Sequence, residues 1–429
     1  MYAIGIDLGT TSVCGILIDS DTGEVMRSRT ENSYAALKGM FPWESLQKPE
    51  RILSLATEIL EDLICENVAA IGVTGQMHGI VYFNCEGKSV SPLYTWQDGR
   101  GNQPYLDTTY AQYLNSHSGY GNVTDFYNQK NGLVPPTAVG YCTIQDYFVM
   151  HLCGLVKPQI HISNAASFGC YNLKDDRFHC NCNIEPIRDY AVAGTFRGIP
   201  VGVAIGDNQA SVFSSLDSVD RVLLNIGTGS QVSIISDCVI EAPGIETRPY
   251  FEGKYLVVGS ALCGGRAYAV LKNFYAGLLK YVTDITDEQV YHIMEKMLSE
   301  KCMPLTTDTR FEGTRADEKL RGSINGISTQ NFTPEALTHG VIEGMVRELH
   351  DMYTAMKSSR QGLVGSGNGL RKNSVLQKKA EEIFGTSLRI PMHIEEAAYG
   401  AALFALVSTG DCKDMTAAQK LILYETNSK

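Results

Sequence analysis

Two short turns rich in glycine and threonine carry residue types that could hold phosphate groups. They are Gly9-Thr10-Thr11 and Gly227-Thr228-Gly229, and each stands between two β-rich apolar runs. A phosphate requires backbone N–H groups that approach its oxygens without a bulky side chain in the way, and such turns supply them. Either turn by itself could be an ordinary tight turn. The occurrence of two matched turns favours phosphate binding.

Asp7 stands beside the first of these turns, at the end of a β-rich run. A carboxylate next to a phosphate would repel it unless a divalent cation lay between the two, and Mg²⁺ prefers oxygen ligands of this kind. The sequence therefore indicates a magnesium ion near Asp7. The alternative is an aspartate that only caps the turn.

A third glycine-rich stretch, Gly365-Ser366-Gly367-Asn368, leads toward a helix and leaves backbone open for a nucleoside to lie against. The alternative is an ordinary helix start. Two other nucleotide motifs are excluded by inspection. Tyr82 occupies the place of the first P-loop glycine ahead of Gly87-Lys88-Ser89. Val232 occupies the place of the last glycine that a dinucleotide fingerprint would need after the second turn.

The elements that must position these residues follow one pattern that occurs twice. The segments Tyr2–Asp19 and Arg221–Ile235 each consist of two β-rich runs joined by a Gly/Thr/Ser turn, which predicts two hairpins. Amphipathic segments follow them, and Pro49–Leu63 and Pro334–Met356 show apolar residues at helical spacing. We therefore predict a duplicated α/β architecture.

A strand-to-helix corner is predicted at Asp207. Val201–Gly206 has the composition of a buried strand, and the residues from Asp207 to Ser215 begin in the manner of a capped helix. We place the junction between the two halves of the chain near residue 217, between this corner and the second hairpin.

The composition indicates an ordinary globular protein with room for two domains. The chain has 429 residues, of which 44% are hydrophobic and 19% charged, and its net charge is −11. A net negative charge without long Lys/Arg runs argues against nucleic acid as a partner. No secretion signal and no apolar run of about 18 residues is evident, so we expect a cytoplasmic protein without a membrane partner.

The cysteines do not form a metal or redox motif that stands out. None of the 12 cysteines forms a C-x-x-C pair, which argues against a zinc ribbon or a dithiol redox centre. The tightest group, His179-Cys180-Asn181-Cys182, could hold a metal, but no second pair follows at ligand spacing. We therefore favour an ordinary, non-metal role for these residues.

The order of the motifs along the chain resembles that of the FGGY carbohydrate kinases, which belong to the actin/hexokinase-type ATPase superfamily. Within that family, the runs Thr95–Arg100, Ser163–Gly169 and Val364–Asn368 are most similar to sedoheptulokinases and next to xylulokinases. The six motifs that carry the family resemblance are Asp7–Ser12, Gly75–Gly79, Thr95–Arg100, Gly206–Gln209, Gly227–Gly229 and Gly365–Gly369.

The resemblance implies an α/β fold with two actin/hexokinase-type, ribonuclease H-like domains and a cleft between them. Residues 1–217 would form the domain with the sugar site, the first phosphate turn and the catalytic aspartate, and residues 218–429 the domain with the second turn and the adenosine site. The implied activity is ATP-dependent phosphorylation of a small ketose, sedoheptulose or xylulose, with ATP and Mg²⁺ as cofactors. A homodimer is left open.

The resemblance also implies roles for particular residues. Asp207 would be the base that activates the acceptor hydroxyl, and Asp7 and Asp207 would hold Mg²⁺. The sugar would be bound by Gln76, Met77, His78, Trp96, Asp98, Arg100 and Asn208. The ATP would be bound by Gly9, Thr10, Thr11, Ser12, Gly227, Thr228, Gly229, Gly365, Ser366, Gly367 and Asn368.

Two other classes of protein share this type of fold, and the sequence departs from the family at a few positions. A non-catalytic sugar or nucleotide sensor should have lost Asp7 or Asp207, and an actin- or chaperone-like ATPase should lack the sugar-side motifs; we therefore rank both below an active kinase. The departures are Cys14 in place of Lys or Arg, Gln145 in place of His, Gly227 in place of Ser, and a short stretch from Lys174 to Pro200.

Overall fold

The computed structural model describes residues 1–179, 184–314, 317 and 319–425, and these residues divide into two compact units. The first unit contains Met1–Ser218, Arg248–Tyr255 and His393–Leu423. The second contains Val219–Thr247, Leu256–Met392 and the described part of Tyr424–Lys429. The predicted division after residue 217 therefore differs from these units at 248–255 and 393–423, which pack with the first unit.

The elements follow one another along the chain as strands and helices of very different length. The strands are β1 (Tyr2–Leu8), β2 (Ser12–Asp19), β3 (Val25–Asn32), β4 (Ala36–Leu37), β5 (Leu46–Gln47), β6 (Val68–Gly75), β7 (Val81–Asn84), β8 (Leu93–Tyr94), β9 (Pro104–Tyr105), β10 (Thr108–Thr109), β11 (Ala138–Cys142), β12 (Tyr171–Asn172), β13 (Arg177–Phe178), β14 (Val192–Phe196), β15 (Ile199–Gly202), β16 (Ile205–Gly206), β17 (Arg221–Ile226), β18 (Ser230–Ser236), β19 (Ile245–Pro249), β20 (Tyr255–Ala261), β21 (Thr306–Asp308), β22 (Ser323–Asn325), β23 (Gly362–Ser366) and β24 (Leu388–Arg389). The helices are α1 (Pro49–Leu63), α2 (Tyr110–Tyr113), α3 (Gly121–Lys130), α4 (Ile144–Leu152), α5 (Ile162–Ser167), α6 (Asp207–Ser215), α7 (Gly265–Leu279), α8 (Asp287–Ser299), α9 (Pro334–Ala355), α10 (Asn368–Lys372), α11 (Ser374–Phe384), α12 (Glu396–Thr409) and α13 (Met415–Gln419), with a short 3-10 helix at Gly99–Asn102.

The main sheet of the first unit has the order β14-β15-β6-β1-β2-β3, with β16 beside β6. The predicted hairpin is confirmed, since β1 and β2 are antiparallel and Asp7 lies opposite Cys14. Strands β1, β6 and β16 run parallel to one another, so their carboxyl ends reach the same edge of the sheet. At that edge Gly75 is the register partner of both Leu8 and Gly206.

The predicted helix over Pro49–Leu63 is confirmed as α1. Pro49 occupies its first turn, where the missing N–H costs no hydrogen bond. The buried side chains recur at helical spacing and include Ile52, Ala56, Ile59 and Leu63. This apolar face packs against β2 and β1.

The predicted strand over Val201–Gly206 is interrupted in the structure. It forms β15 and β16, which pair with β6 through Val201–Ile71 and Ile205–Thr74. The chain advances by four residues from Val201 to Ile205, whereas β6 advances by three from Ile71 to Thr74. The extra residue breaks the pairing. The following helix α6 begins at Asp207, which confirms the predicted strand-to-helix corner, although Gly206 rather than Asp207 is the N-cap.

Helix α12 explains why 393–423 joins the first unit. All of its residues from Ala398 to Val407 are buried, and its backbone lies directly on glycines of β1 and β6. An ideal Cβ on Gly5 would lie 1.8 Å from the carbonyl oxygen of Ala398. One on Gly72 would lie 1.9 Å from that of Ala401. Larger side chains on these strands would hold the helix off the sheet.

The second unit repeats the hairpin. Its sheet has the order β19-β20-β18-β17-β23-β24, with β17 and β18 antiparallel and β17 and β23 parallel. Helices α7, α8, α9 and α11 supply apolar side chains to its core. The predicted helix over Pro334–Met356 is confirmed as α9, which ends one residue earlier.

We predict that Gly400→Ala lowers the midpoint of unfolding, because α12 crosses α6 at this residue. An added Cβ would lie 1.9 Å from the carbonyl oxygen of Ala210, so one of the two backbones must shift, at a cost of about 1–3 kcal/mol. Guanidinium chloride unfolding followed by circular dichroism measures this effect.

Gly277→Ala is the matched control. Gly277 lies in α7, and an added Cβ there would meet nothing within 4 Å. Its midpoint should stay level or rise, because alanine is the better helix former. Equal midpoints for Gly400→Ala and the wild type would contradict the close crossing.

Candidate active site

The carboxyl ends of β1, β6 and β16 bring the predicted catalytic and sugar-binding segments of the first unit to one sheet edge. The first turn, Gly9–Thr11, follows β1, the Gln76–His78 segment follows β6, and Asp207 follows β16. The backbone N–H of Gln76 donates to the carbonyl oxygen of Leu8 at 3.0 Å, which ties the first two segments together. Open α/β sheets bind ligands at such edges.

Asp7 and Asp207 share this edge, and their electrostatics are linked. Burial, together with the negative charges of Asp207 and Glu395, raises the pKa of Asp7 to about 7. The Oδ1 atom of Asp7 is buried and has no hydrogen-bond partner among the described residues. A buried carboxylate oxygen in this situation is suited to a cation.

Asp207 is held by its own helix turn. Burial raises its pKa to about 6, while hydrogen bonding to Asn208 and the positive charge of Arg248 act in the opposite direction. Its Oδ1 accepts from the backbone N–H of Asn208 at 2.7 Å and from the Asn208 side-chain amide at 3.0 Å. That amide also lies 3.6 Å from Sδ of Met77, which is buried.

A buried polar network supports this edge from behind. Ser163 Oγ accepts from the backbone N–H of Gly206 at 3.0 Å, one residue before Asp207. Gln145 donates to the carbonyl oxygen of Gly75 at 3.2 Å and to Oδ1 of Asn164 at 3.1 Å. The glutamine that departs from the family pattern therefore links the end of β6 to α5.

Cys14, which stands where the family pattern has Lys or Arg, lies opposite Asp7 on β2 and is buried. Burial raises the pKa of its thiol well above the ordinary value, so the group stays neutral. It contributes no positive charge to the first phosphate turn.

His78 adopts an uncommon backbone conformation. Its φ is 73°, in the left-handed region that non-glycine residues seldom occupy. Its Nδ1 lies 2.7 Å from the carbonyl oxygen of Ser167, and because a carbonyl only accepts, Nδ1 must carry a proton. Its ring stacks on Tyr120 with centroids 4.1 Å apart. Several contacts thus fix the ring at the site.

The Thr95–Arg100 segment places its side chains in two different environments. Trp96 is 46% exposed, whereas Asp98 and Arg100 are each 1% exposed. The Arg100 guanidinium donates from Nε to Asp98 at 2.6 Å and lies 4.1 Å above the Tyr94 ring. Asp98 also accepts from the backbone N–H of Ser45 at 3.1 Å. The structure therefore leaves Trp96, and not Asp98 or Arg100, with surface for a ligand.

In the second unit, the Gly227–Gly229 turn and the Gly367–Asn368 corner meet at the carboxyl ends of the parallel strands β17 and β23. Gly367 has φ 82°, and an added Cβ there would lie 2.6 Å from the Ile226 carbonyl oxygen, so only glycine fits. Gly365 and Ser366 are buried in β23, and Asn368 begins α10.

A pair of glycines that the motif analysis did not single out completes this edge. The backbone N–H of Gly265 donates to the carbonyl oxygen of Gly227 at 2.9 Å. An added Cβ on Gly264 would lie 2.5 Å from the backbone of Gly229. A Gly-Gly pair just before a helical pattern was the available signal. Gln47 and Tyr120 were also missed, because a single polar or aromatic residue outside a motif carries no such signal.

The fit of a magnesium ion rests on Asp7 and Asp207. Within residues 1–179, 184–314, 317 and 319–425, no group of three or more His, Cys, Asp or Glu side chains is placed to hold a metal ion. The orphaned Asp7 oxygen and the oxygen donors of both carboxylates nevertheless suit a hard cation that keeps part of its water shell. In the His179–Cys182 segment, for which the sequence favours a non-metal role, Cys180 and Cys182 lie outside the described residues.

Comparison with known proteins identifies the family of the chain. The model of the FGGY family of carbohydrate kinases, N-terminal domain, matches residues 2–181, and that of the C-terminal domain matches residues 222–409. The chain belongs to the FGGY family of carbohydrate kinases, so it is a sugar kinase and ATP is the phosphate donor that the family implies.

Individual relatives extend the match over the whole length. Human sedoheptulokinase is 30% identical over 94% of this chain and 97% of its own. The xylulose kinase of Staphylococcus xylosus is 25% identical over 100% of this chain and 97% of its own. A ligand-bound xylulose kinase structure from Lactobacillus acidophilus superposes with a TM-score of 0.82 at 20% identity, covering 99% and 93% of the two chains. The predicted family and fold class are thus confirmed.

None of the helices in the described part of the chain combines the length and apolar character needed to cross a lipid bilayer.

We predict that Asp207→Asn stabilises the protein more at pH 8 than at pH 5. Because the folded-state pKa of Asp207 is raised from 3.8 to about 6, stability is lost as the pH rises from 3.8 to about 6, so only part of the cost is present at pH 5 and all of it at pH 8. Asparagine keeps the acceptor oxygen and removes that cost, so the melting temperature should rise by about 2–4 °C at pH 8. Thermal unfolding without nucleotide or Mg²⁺ measures the difference.

Asp107→Asn controls for the loss of one exposed carboxylate that belongs to none of β1, β6 and β16. Its melting temperature relative to wild type should not change between pH 5 and pH 8. A stability difference for Asp207→Asn that is the same at both pH values would contradict the assigned cause.

Proposed function

We propose that this sugar kinase transfers the γ-phosphoryl group of ATP to a hydroxyl of a small ketose, sedoheptulose or xylulose, with Asp207 as the base. The observation that carries the proposal is the position of Asp207 at the start of α6, on the sheet edge where the first phosphate turn and the Gln76–His78 segment also end. The likeness to a sedoheptulokinase over 94% of the chain supports the choice of substrate.

The acceptor sugar would contact the groups that the first unit leaves available at this edge. Trp96 offers an indole face for the C–H surface of a sugar, and His78 and Asn208 offer polar atoms for its hydroxyls. Met77 packs beside Asn208 and would limit the pocket. Asp98 and Arg100 would hold the fold of the Thr95–Arg100 segment and not contact the sugar, since both side chains are buried and paired.

Asp207 would act by orientation and late proton transfer. The sugar oxygen forms a bond to the γ-phosphorus as the bond from that phosphorus to the β,γ-bridging oxygen breaks, and the hydroxyl proton passes to the Asp207 carboxylate. A carboxylate with a pKa of about 6 is ionised at neutral pH but too weak a base to deprotonate a free alcohol beforehand. In phosphoryl transfer, positioning and charge stabilisation supply most of the rate.

Each unit has a turn suited to phosphate oxygens. In the first unit, the turn from Gly9 to Ser12 would donate backbone N–H groups to them. In the second unit, taken by itself, Gly227–Gly229 offers the same kind of groups. The corner Gly365–Asn368 would lie against the nucleoside. Asp7 and Asp207 would hold Mg²⁺, which neutralises phosphate charge when bound.

We predict that the protein releases ADP in the presence of Mg-ATP and one ketose of a panel, and that Asp207→Asn reduces kcat by at least about 10²-fold, the lower end for general-base catalysis. The panel contains D-sedoheptulose, D-xylulose, D-ribulose, L-ribulose, L-xylulose, L-fuculose, L-rhamnulose and glycerol. A coupled ADP-release assay gives the rates. Full activity of the variant would exclude Asp207 as the base, and turnover on glycerol instead of any ketose would contradict the substrate class.

We also predict that kcat/KM for Mg-ATP falls as the pH drops through about 6. This ratio reports the enzyme before Mg²⁺ and ATP bind, so the pKa that the protein alone gives Asp207 applies. Since the base must be ionised, kcat/KM should decrease about tenfold for each pH unit below that pKa. The profile is measured from pH 8 to pH 5 at saturating sugar. A kcat/KM that stays constant down to pH 5 would show that no group of this pKa is the base.

A further inference from the structure

Four hydrogen-bonding groups in the first unit form a closed ring around Thr10. Thr10 Oγ1 lies 3.5 Å from Oε1 of Gln76, and Nε2 of Gln76 donates to Oε1 of Gln47 at 2.9 Å. Nε2 of Gln47 then donates to the carbonyl oxygen of Thr10 at 2.5 Å. The indole N–H of Trp96 joins the ring by donating to Thr10 Oγ1 at 3.0 Å.

The donor directions around this ring are mutually consistent. Each amide uses its oxygen as an acceptor and its nitrogen as a donor, so reversing Gln47 would bring its oxygen against the carbonyl oxygen of Thr10. Hydrogen bonds that run in one direction around a buried ring polarise and strengthen one another. Gln47 and Gln76 are both buried, so little water competes for these groups.

The ring fixes the orientation of a backbone N–H in the first phosphate turn. The peptide unit is planar, so the carbonyl of Thr10 and the N–H of Thr11 point in opposite directions within one plane. Holding the Thr10 carbonyl with Gln47 therefore sets the direction of the Thr11 N–H. The next peptide is held as well, because the backbone N–H of Ser33 donates to the carbonyl oxygen of Thr11 at 2.9 Å.

We infer that Gln47 is a positioning residue that couples the sugar-binding segments to the first phosphate turn. Gln76 precedes Met77 and His78, and Trp96 offers its exposed ring to the sugar, so both ends of the sugar site act on the same threonine. The inference rests on the proposed function. It predicts that the position of the bound sugar and the orientation of the Thr11 N–H are coupled through Gln47.

Gln47→Met tests the inference, because methionine matches the length of glutamine and removes both ring hydrogen bonds. We expect kcat to fall about 10–100-fold, because a phosphate held in the wrong position reacts more slowly. We also expect more than one ADP released per sugar phosphate formed, since water then competes as the acceptor. A purely structural effect would lower both products equally and leave their ratio at one. Mass spectrometry quantifies the sugar phosphate.

Gln159→Met is the matched control, since Gln159 donates to the Ala193 carbonyl oxygen at 3.2 Å in the same unit but outside the ring. It should keep the wild-type kcat and product ratio. If Gln47→Met does not fold, Thr10→Val provides a second test, because it removes Oγ1 from the ring and should shift the same ratio.

A wild-type kcat and a product ratio of one in the folded ring variant would overturn the role of Gln47. That result, obtained while the wild type phosphorylates a sugar, leaves the proposed function intact. Absence of sugar-dependent turnover in the wild type would overturn both proposals.

Discussion

The first unit depends on the direct contact between the backbone of α12 and the glycines beneath it. Gly5 and Gly72 let the helix approach β1 and β6 to a distance that no side chain would permit, and Gly400 does the same toward Ala210 of α6. Helix α12 contacts β1, which carries Asp7, β6, which ends at Gly75, and α6, which begins at Asp207. Small residues on a buried helix therefore determine where the functional groups of this unit lie.

The same close packing explains the electrostatics of the sheet edge. Asp7 and Asp207 lie at the same buried sheet edge, where burial raises the pKa of both carboxyl groups. Ionising them therefore costs folding stability. Under the proposed function both would act as carboxylates, so stability and activity would make opposite demands on them.

The sequence predicted the parts of the fold that local pattern determines. The two hairpins have β-rich runs joined by a Gly/Thr/Ser turn, α1 and α9 have apolar residues at helical spacing, and the corner at Asp207 has a helix-start signal. The interruption between Val201 and Ile205 was not predictable, because the extra residue becomes evident only when β6 lies alongside.

The parts that were missed depend on residues far apart in the chain. Gln47 meets Thr10 across 37 positions and Ser163 meets Gly206 across 43, and neither pair has a periodic signal. The burial of Asp98 and Arg100 is similar, since the motif shows the charges but not the surrounding rings of Tyr94 and Tyr127. The family resemblance pointed to the motif segments, whereas the contacts in the structure show which side chains within a segment are buried and which are exposed.

The return of residues 393–423 to the first unit also has a consequence for biosynthesis. As the chain leaves the ribosome, residues 1–218 emerge long before α12. The face of β1 and β6 that carries Gly5 and Gly72 therefore stays uncovered while about 170 further residues are made. Most of the second unit is complete before the first can close. A nascent chain of this protein would therefore present an apolar sheet face to chaperones throughout that interval, and premature termination before α12 would leave it permanently open.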